Sequence, residues 1–188
     1  MNPCLRLLKT SWRVMKFGNK LFSCPIQYEA YNSEANDSES TGFSCGDNLV
    51  DNWFAKHAKY AKQRGTAVVY VSYCKGKVAG FYTLSSHSVV RNSIQGGWLK
   101  RNSPEQVPAI LLGMMGVDTH YKGCGLGAAL LRDAIKKSLE TAQIIGAKAL
   151  LVDPSSKSAE MFYAHFGFKK MPCIDSDINR MYLLLKLS

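Results

Sequence analysis

Residues 117–127 read Val-Asp-Thr-His-Tyr-Lys-Gly-Cys-Gly-Leu-Gly, and an amphipathic helical pattern overlaps their end and continues over Leu126–Ile145. Three glycines, Gly123, Gly125 and Gly127, alternate around the predicted N-terminus of this helix. Glycine adopts positive φ readily and lets a ligand approach the backbone closely. The first N–H groups of a helix have no intrahelical partner, and the helix dipole adds positive potential there. The stretch is therefore typical of a phosphate-binding loop.

The glycine pattern alone admits more than one interpretation. A P-loop requires Gly-Lys-Ser/Thr, which is absent here. Gly123-x-Gly125-x-x-Ala128 fits a loose dinucleotide-binding pattern, but residues 118–122 separate it from the preceding strand and only one βαβ unit follows. A dinucleotide loop and a glycine-rich turn without a ligand stay open at this point.

The chain around the loop alternates between helix and strand patterns. A helix is predicted over Leu49–Lys62, with Asp47 or Ser44 as its cap, because apolar residues recur at helical spacing. Residues 75–76 predict a tight turn between two strands, and Gly146 the end of the helix after the loop. The other predicted elements are strands at Thr66–Cys74, Val78–Val89, Ala109–Val117, Lys148–Val152, Phe166–Lys170 and Met181–Leu187, and a helix at Ser158–His165. This order predicts a mixed α/β domain with one parallel crossover.

The first 42 residues differ in composition from the rest. Residues 1–25 carry basic side chains and no acid, and Met15 offers an alternative start. Residues 32–42 are polar and turn-prone, which predicts a loop. We expect an N-terminal extension and loop over 1–42, partly disordered or mis-annotated, and a compact domain over 43–188. No secretory signal is visible and no apolar run approaches the roughly 18 residues that span a bilayer, so a cytoplasmic protein is expected.

The chain is basic, with a formal net charge of +10 at pH 7, and the excess of base persists beyond residue 42. Such a field attracts polyanions such as nucleic acid, a phosphorylated cofactor or an acidic protein, although a basic surface without a specific partner is the plainer interpretation. The six cysteines form no CxxC pair, and none lies near a His at zinc-ligand spacing. No metal site is expected.

Three motifs, in the right order, resemble the GNAT acetyltransferases. Lys122-x-x-Gly125-x-Gly127 resembles their pyrophosphate loop, usually Gln/Arg-x-x-Gly-x-Gly/Ala. Residues 112–118, Leu-Gly-Met-Met-Gly-Val-Asp, resemble the central strand whose backbone pairs with pantetheine, and residues 159–168, Ala-Glu-Met-Phe-Tyr-Ala-His-Phe-Gly-Phe, resemble the C-terminal signature. The resemblance implies the GNAT fold, an α/β architecture with a mixed, mostly antiparallel sheet that is splayed at its central strands and flanked by helices.

The resemblance also implies the chemistry. An amine would attack the thioester of acetyl-CoA directly, with the backbone N–H of Met115 or a neighbour stabilising the oxyanion. Tyr163 would protonate the departing thiolate as general acid; its alternative role is that of a core aromatic. The residues expected to contact acetyl-CoA are Met115, Gly116, Val117, Lys122, Gly123, Cys124, Gly125, Leu126, Gly127 and Phe162.

No general base stands out. His87, His120 and His165 are candidates by residue type only, and each fits a surface or packed histidine as well. A base is dispensable if the substrate amine has a low pKa, and the pKa of α-amino groups already lies near 8. Cys124 has no visible partner that would activate its thiolate for covalent catalysis.

Further segments resemble the GNAT toxins of bacterial toxin–antitoxin pairs. They are residues 43–53, Phe-Ser-Cys-Gly-Asp-Asn-Leu-Val-Asp-Asn-Trp, residues 80–85, Gly-Phe-Tyr-Thr-Leu-Ser, and the proline loop that leads to the strand start at 111–113. Those toxins acetylate the α-amine of aminoacyl-tRNA and block translation, and a ribbon-helix-helix antitoxin neutralises them and represses the operon with them. The resemblance therefore implies aminoacyl-tRNA and such an antitoxin as partners, operator DNA only through the antitoxin, and a homodimer. The side chains expected to meet RNA phosphates are Arg64, Arg91, Lys100 and Arg101.

The chain departs from these patterns at three places. Lys122 stands where Gln or Arg is usual, Met114 stands where the toxins often carry Arg, and the polar stretch 32–42 is not typical of the group. Two alternatives follow: a housekeeping acetyltransferase acting on a protein or small-molecule amine, and a non-catalytic regulatory or binding subunit. Normal growth on expression of the gene alone would favour the first, and a folded protein without acetyl-CoA turnover the second.

Overall fold

A computed structural model describes residues 42–95, 97, 101–172 and 179–186, and the backbone of the short strands before residue 42. Its helices are α1 (Asn48–Ala61), α2 (Leu126–Ile145) and α3 (Lys157–His165). Its strands are β1 (Lys16–Phe17), β2 (Lys20–Leu21), β3 (Gln27–Ala30), β4 (Val68–Cys74), β5 (Lys77–Val90), β6 (Gln106–Val117), β7 (Ala149–Val152), β8 (Lys169–Lys170) and β9 (Met181–Leu184). None of the described helices combines the length and hydropathy that crossing a bilayer requires. Lys100, an expected RNA contact, lies outside the described residues.

The main sheet has the strand order β3-β4-β5-β6-β7-β9-β8, and β1 pairs separately with β2. The β3–β4, β7–β9 and β8–β9 pairs are antiparallel, whereas β6 and β7 are parallel. The β6–β7 ladder ends at the pair Leu112–Val152, although β6 continues to Val117. The mixed sheet is therefore confirmed, with α2 as the crossover helix between its two parallel strands.

Most predicted elements are confirmed within two or three residues, and α2 has the predicted bounds. The predicted strand over Phe166–Lys170 is wrong in its first half. Phe166 ends α3, where its N–H donates to the carbonyl of Tyr163 at 3.0 Å. Gly167 then turns the chain with φ +89°, so only Lys169–Lys170 can pair with β9.

Three short strands lie inside the predicted N-terminal extension, and the third of them joins the main sheet. Gln27–Ala30 forms β3 and pairs antiparallel with β4, from Gln27 opposite Tyr73 to Ala30 opposite Tyr70. Sequence analysis did not predict this strand, because an edge strand of four residues has little hydrophobic pattern of its own. The domain boundary at residue 43 stays a prediction.

The chain divides into two compact units, the first from residues 1–83 and 114–134, the second from 84–113 and 135–188. In the first unit, α1 begins at Asp47, whose side chain accepts from Leu49 N–H at 3.0 Å. The helix buries its apolar face against β4 and β5, and the ring of Phe54 lies 4.3 Å from that of Phe81 between centroids.

The second unit has its own apolar core, formed by alternate residues of β6 and β7 on one face of the sheet. Val107 and Ala109 of β6 lie in this cluster with Ala149 and Leu151 of β7. Alternate residues of a strand point to the same face, which is why the spacing is two in both strands. Ile94, only 1% exposed, closes the cluster.

Within the first unit, α2 lies unusually close to β5. A Cβ atom on Gly80 would lie 2.9 Å from the carbonyl oxygen of Gly116 and 2.9 Å from Leu130 Cδ1, so only glycine fits there. Two residues further along β5, the hydroxyl of Tyr82 donates to the Asp133 carboxylate of α2 at 2.5 Å. Both side chains are buried. This hydrogen bond fixes the helix whose N-terminus carries the glycine loop.

Replacing Tyr82 with Phe should lower the free energy of unfolding by about 2 kcal/mol, because the buried Asp133 carboxylate loses a donor. Urea denaturation checks this. The double variant Tyr82→Phe/Asp133→Leu should lose less than the sum of the two single variants, since it leaves no orphaned carboxylate. Additive losses would contradict the direct coupling of the two side chains.

Candidate active site

The glycine loop of the first unit has the conformation of an anion cradle. Gly123 and Gly125 have φ of +74° and +80°, a region that side chains with a Cβ rarely adopt. The carbonyl of Gly125 accepts from Ala129 N–H at 3.1 Å, so the helical hydrogen bonds of α2 begin there. The N–H groups of Leu126 and Gly127 therefore belong to the first turn, where N–H groups have no intrahelical partner. No acidic residue lies in that turn, which leaves the positive end of the helix dipole uncompensated.

The space around the loop suits a phosphate. A Cβ atom on Gly123 would meet no heavy atom within 4 Å. Lys122 is exposed, and its Nζ lies 3.9 Å from the position that a Cβ on Gly46 would occupy. Cys124 is a free thiol, and its only hydrogen bond among the described residues is a weak one to the carbonyl of Lys122 at 3.6 Å. The donor set is thus backbone N–H groups with one nearby cation.

A buried carboxylate fixes the start of the loop. Asp118, 4% exposed, follows β6, and its carboxylate accepts from the N–H of Ser44 at 3.1 Å and of His120 at 2.9 Å. The His120 ring donates to it at 2.8 Å, and Thr119 N–H donates to the carbonyl of Ser44 at 2.9 Å. Burial by itself raises the pKa of Asp118, but the hydrogen bonds from His120 and Ser44 outweigh it and hold the pKa below its usual value.

The end of β6, predicted to pair with pantetheine, is held by its neighbours in the first unit. Met114 N–H donates to the Thr83 hydroxyl at 2.9 Å. A Cβ atom on Gly116 would lie 3.1 Å from Phe43 Cζ and 3.2 Å from Phe81 Cε1, so the aromatic core leaves room for a glycine. Met115 and Val117 are half-buried.

In the second unit, α3 carries the predicted general acid Tyr163. Ser156 caps this helix by accepting from Ala159 N–H at 3.2 Å. Gly167 returns the chain so that the ring of Phe168 lies 5.5 Å from that of Tyr163, and Phe168 N–H donates to the Tyr163 carbonyl at 3.2 Å. The Gly-Phe signature therefore has a local function, which is to hold Tyr163 in place through the ring and the backbone N–H of Phe168.

An ion-pair network holds the same helix. Glu160 accepts from Lys170 of β8 at 3.0 Å and from Lys157 at 3.1 Å. The hydrogen bonds from Lys170 and Lys157 hold the pKa of Glu160 below its usual value. The network ties the first turn of α3 to the strand that follows it.

Tyr163 keeps its proton over the whole physiological range. Burial raises the pKa of its hydroxyl to about 12, because the phenolate would lose hydration. A tyrosine in this state can donate a proton but is a poor base. Phe162 contacts Tyr163 and Phe166 at ring-centroid distances of 5.4 and 5.2 Å, so its visible role is packing.

The three candidate histidines have different surroundings. The side chain of His120 is 84% exposed and hydrogen-bonded to Asp118. His165 is exposed. His87 is half-buried and lies 3.1 Å from Arg180 Nη1, measured from its Nε2. Sequence analysis missed Arg180, because no local pattern shows a contact across 93 residues.

Two of the basic residues expected to meet RNA lie in the second unit, near one turn. Arg91 donates to the carbonyl of Ser103 at 2.9 Å, and Lys148 donates to the Ser103 hydroxyl and the Arg101 carbonyl, both at 2.7 Å. Arg101 itself is exposed. Lys148 was missed, and the turn that it supports concentrates positive charge. Arg64, in the first unit, is exposed and lies 5.2 Å above the ring of Tyr60.

Among the described residues, no group of three or more metal-binding side chains occurs. The cysteines that the structure describes, Cys45, Cys74 and Cys124, are free thiols. Burial and a hydrogen bond with Asp51 raise the pKa of Cys45 to about 11, which makes it unreactive.

The loop, the crossover helix and the Phe-Tyr…Gly-Phe helix define an acetyltransferase of the GNAT class. The family model described as Acetyltransferase (GNAT) domain matches residues 65–170, more than half of the chain. The chain belongs to the GNAT acetyltransferase family and is an N-acetyltransferase.

Curated relatives make the class more specific. The chain is 36% identical to the tRNA-acetylating toxin of Mycobacterium tuberculosis over 159 residues, which cover 85% of this chain and 93% of the relative. It is 29% identical to the probable toxin TacT of Sinorhizobium fredii over 149 residues, 74% of this chain and 82% of that protein.

Solved structures confirm the predicted fold. A mutant of KacT superposes with a TM-score of 0.75 at 21% identity, covering 85% of this chain and 95% of that one. AtaT complexed with acetyl-methionyl-tRNAfMet superposes with a TM-score of 0.75 at 20% identity, over the same shares of the two chains. At this level of identity the likeness concerns the fold alone.

Replacing Asp118 with Asn should destabilise the protein by about 2 kcal/mol at pH 7, because an amide cannot accept at both of its positions. The pKa of Asp118 is lowered by folding, so its stabilisation is present above the unfolded value of about 3.9 and is lost as the pH falls through the lower folded value. The gap in free energy of unfolding between wild type and Asp118→Asn should therefore shrink below about pH 4.

The matched control is Asp47→Asn, because Asn caps a helix about as well as Asp. Urea denaturation of the three proteins across pH checks the prediction. A gap that is unchanged at low pH, or an equal loss in the control, would contradict the assigned role of Asp118.

Proposed function

We propose that this protein transfers the acetyl group of acetyl-CoA to the α-amine of aminoacyl-tRNA and acts as a toxin that blocks translation. The observation that carries the proposal is the 36% identity to a tRNA-acetylating toxin over nearly the whole of both chains. The glycine cradle and the half-buried tyrosine would supply the two chemical parts that such a reaction needs.

The first unit would hold the donor. The backbone N–H groups of Gly123, Cys124, Gly125, Leu126 and Gly127 would bind the pyrophosphate of acetyl-CoA. The absence of acid from the first turn of α2 and the open space at Gly123 fit this role. The exposed ammonium of Lys122 adds positive charge beside the loop.

The end of β6 would then receive the pantetheine arm along Met115, Gly116 and Val117. Acetyl-CoA supplies an activated acyl group as its thioester. A backbone N–H in this segment, that of Met115 or a neighbour, would stabilise the oxyanion as the amine attacks the carbonyl. Phe162 would add apolar contact.

The second unit would supply the general acid. As the C–S bond breaks, the Tyr163 hydroxyl gives its proton to the departing thiolate, and the nitrogen loses its own proton to solvent. The raised pKa of about 12 keeps Tyr163 protonated at neutral pH, where part of the substrate amine is already neutral. An α-amine beside an ester has a pKa below the value of about 8 for a free α-amine, so part of it is nucleophilic at neutral pH without a protein base.

A charged tRNA would dock through its phosphates. The basic turn of the second unit, with Arg91, Arg101 and Lys148, carries the charge that such a surface requires. Arg64 would add a further contact from the first unit. Lys100 remains a predicted contact.

Acetyl-CoA and tRNA place the reaction in the cytoplasm, so we propose a cytoplasmic protein. A ribbon-helix-helix antitoxin is the proposed partner, and operator DNA would be bound only through it. A homodimer stays a prediction from the family resemblance.

Tyr163→Phe should lower kcat for acetyl transfer to charged tRNA by about 10²-fold or more, because it removes the general acid. The KM for acetyl-CoA should change little. Radiolabelled acetyl transfer to bulk charged tRNA measures both values. Tyr60→Phe, which removes an exposed hydroxyl, is the matched control and should keep wild-type rates.

If wild type labels peptides or small amines but not charged tRNA, the housekeeping alternative replaces the toxin proposal. If the folded wild type turns over no acetyl-CoA with any amine, the non-catalytic alternative replaces it. If Tyr163→Phe retains full kcat, the general acid is another group.

Arg101→Ala should weaken tRNA binding and reduce the slope of log K against log salt by about 1, because one phosphate contact is lost. Filter binding at several salt concentrations measures the slope. Lys136→Ala is the control, since Lys136 is an exposed residue of α2 that pairs with Glu140. Equal slopes for Arg101→Ala and wild type would remove Arg101 from the RNA surface.

A further inference from the structure

Three side chains of the second unit form a chain of contacts that the proposed reaction does not use. Arg180, directly before β9, donates from Nε and Nη2 to the two carboxylate oxygens of Asp153, both at 2.7 Å. Its third nitrogen, Nη1, lies 3.1 Å from Nε2 of His87 on β5. The Arg180 side chain is only 16% exposed. The bidentate ion pair thus holds the guanidinium still and presents an N–H group to the histidine.

This arrangement determines which ring nitrogen of His87 carries the proton. A guanidinium has N–H donors and no acceptor, and it stays charged at any pH of interest. The contact at 3.1 Å is a hydrogen bond only if Nε2 of His87 accepts. The neutral ring then has its single proton on Nδ1, and the role of one nitrogen fixes the role of the other.

The surroundings keep the ring neutral. Burial and the positive charge of Arg180 lower the pKa of His87, and the more distant Asp153 offsets this only in part. A protonated ring would point an N–H group at the guanidinium. His87 is therefore a hydrogen-bond donor through Nδ1 and not a base.

The three residues also have defined positions relative to the second core cluster and to the segment before α3. Alternate residues of a strand share a face, so His87 lies on the same face as Val89 of the second core cluster. By the same spacing, Arg180 shares a face with Tyr182, which packs against that cluster. Asp153 directly precedes the segment that leads to Ser156, the cap of the Tyr163 helix. Asp153 thus joins the contact chain to the segment that precedes α3.

We infer that Asp153 and Arg180 hold His87 as an Nδ1–H donor for an oxygen atom of the acyl acceptor, at the aminoacylated 3′ end of the tRNA. The inference rests on the proposed function. An ester carbonyl or a ribose hydroxyl would accept from this N–H, whereas a simple alkylamine offers no such oxygen. His87 is half-buried, so part of the residue is open to a ligand.

Two substitutions separate this role from a structural one. Asn places an amide nitrogen near the position of Nδ1 and loses the contact with Arg180. Gln places an amide oxygen near the position of Nε2, so it keeps an acceptor for Arg180 and loses the donor. His165→Gln serves as the control, because His165 is exposed and has no part in the proposed reaction.

The experiment measures kcat and KM with the purified full chain, acetyl-CoA and bulk tRNA charged with a mixture of amino acids. His87→Gln should raise the KM for charged tRNA roughly tenfold, and His87→Asn by about threefold at most, as expected for loss or partial retention of one hydrogen bond. The KM for acetyl-CoA should not move. The reverse order, equal effects of the two variants, or a raised KM for acetyl-CoA would overturn the inference.

Nitrogen-15 NMR of the histidine side chains gives an independent readout. It should show His87 as the neutral Nδ1–H tautomer in wild type and a loss of this preference in Asp153→Asn; an Nε2–H tautomer in wild type would overturn the inference. Wild type that fails to acetylate charged tRNA would remove the proposed function, and with it the assigned ligand, even if the tautomer is as expected. Active wild type with unaffected variants removes only the role of His87.

Discussion

The hydrogen bonds to the buried carboxylate of Asp118 are the interactions on which the conformation of the glycine loop depends. The carboxylate lies where β6 ends, and it accepts hydrogen bonds from the backbone of Ser44 before α1 and of His120 in the following turn. Two segments that lie 74 residues apart in sequence thereby meet at one side chain. The glycines that follow need a fixed starting point, because a residue without a Cβ can adopt many backbone conformations. A carboxylate with several N–H donors supplies that point and stays ionised at neutral pH.

The helix that carries Tyr163 is likewise held by residues other than the one that is proposed to react. α3 is only nine residues long, and an isolated helix of that length is not stable in water. Its stability must come from its cap at Ser156, the ion pairs of Glu160 and the return of the chain at Gly167. These contacts act on the backbone and on side chains one turn away from Tyr163. Burial then sets the protonation state of the Tyr163 hydroxyl, which keeps the proton that the proposed reaction would use.

The sequence predicted the parts of the fold that local physics determines. Glycines at 123 and 125, the amphipathic period of α2 and the stop at Gly146 are local signals, and the helix has the predicted bounds. The strand β3 and the shortened β8 were not predicted correctly, because edge strands depend on their partners more than on their own composition. The GNAT class followed from three motifs in order, and family matching confirms it.

The site was predicted less completely, for a physical reason. The cofactor-loop residues and Tyr163 belong to contiguous motifs, and their assigned roles stay predictions that the variants above test. Asp118, Lys148, Asp153 and Arg180 act through contacts with residues 27 to 93 positions away, such as Lys148 with Ser103 and Arg180 with His87. No spacing rule in one sequence shows such contacts. They exist only in the folded protein, where the sheet brings residues of different strands into contact.

The most direct test of the account is to identify the acetylated product. Purified protein, acetyl-CoA and tRNA would be incubated in two reactions, one with charged and one with deacylated tRNA, and mild base would then release the ester-linked groups for mass spectrometry. The account predicts N-acetyl amino acids from the charged tRNA and no acetyl group on the deacylated tRNA. Acetylation of the deacylated tRNA, or acetyl groups only on protein or small amines, would contradict it.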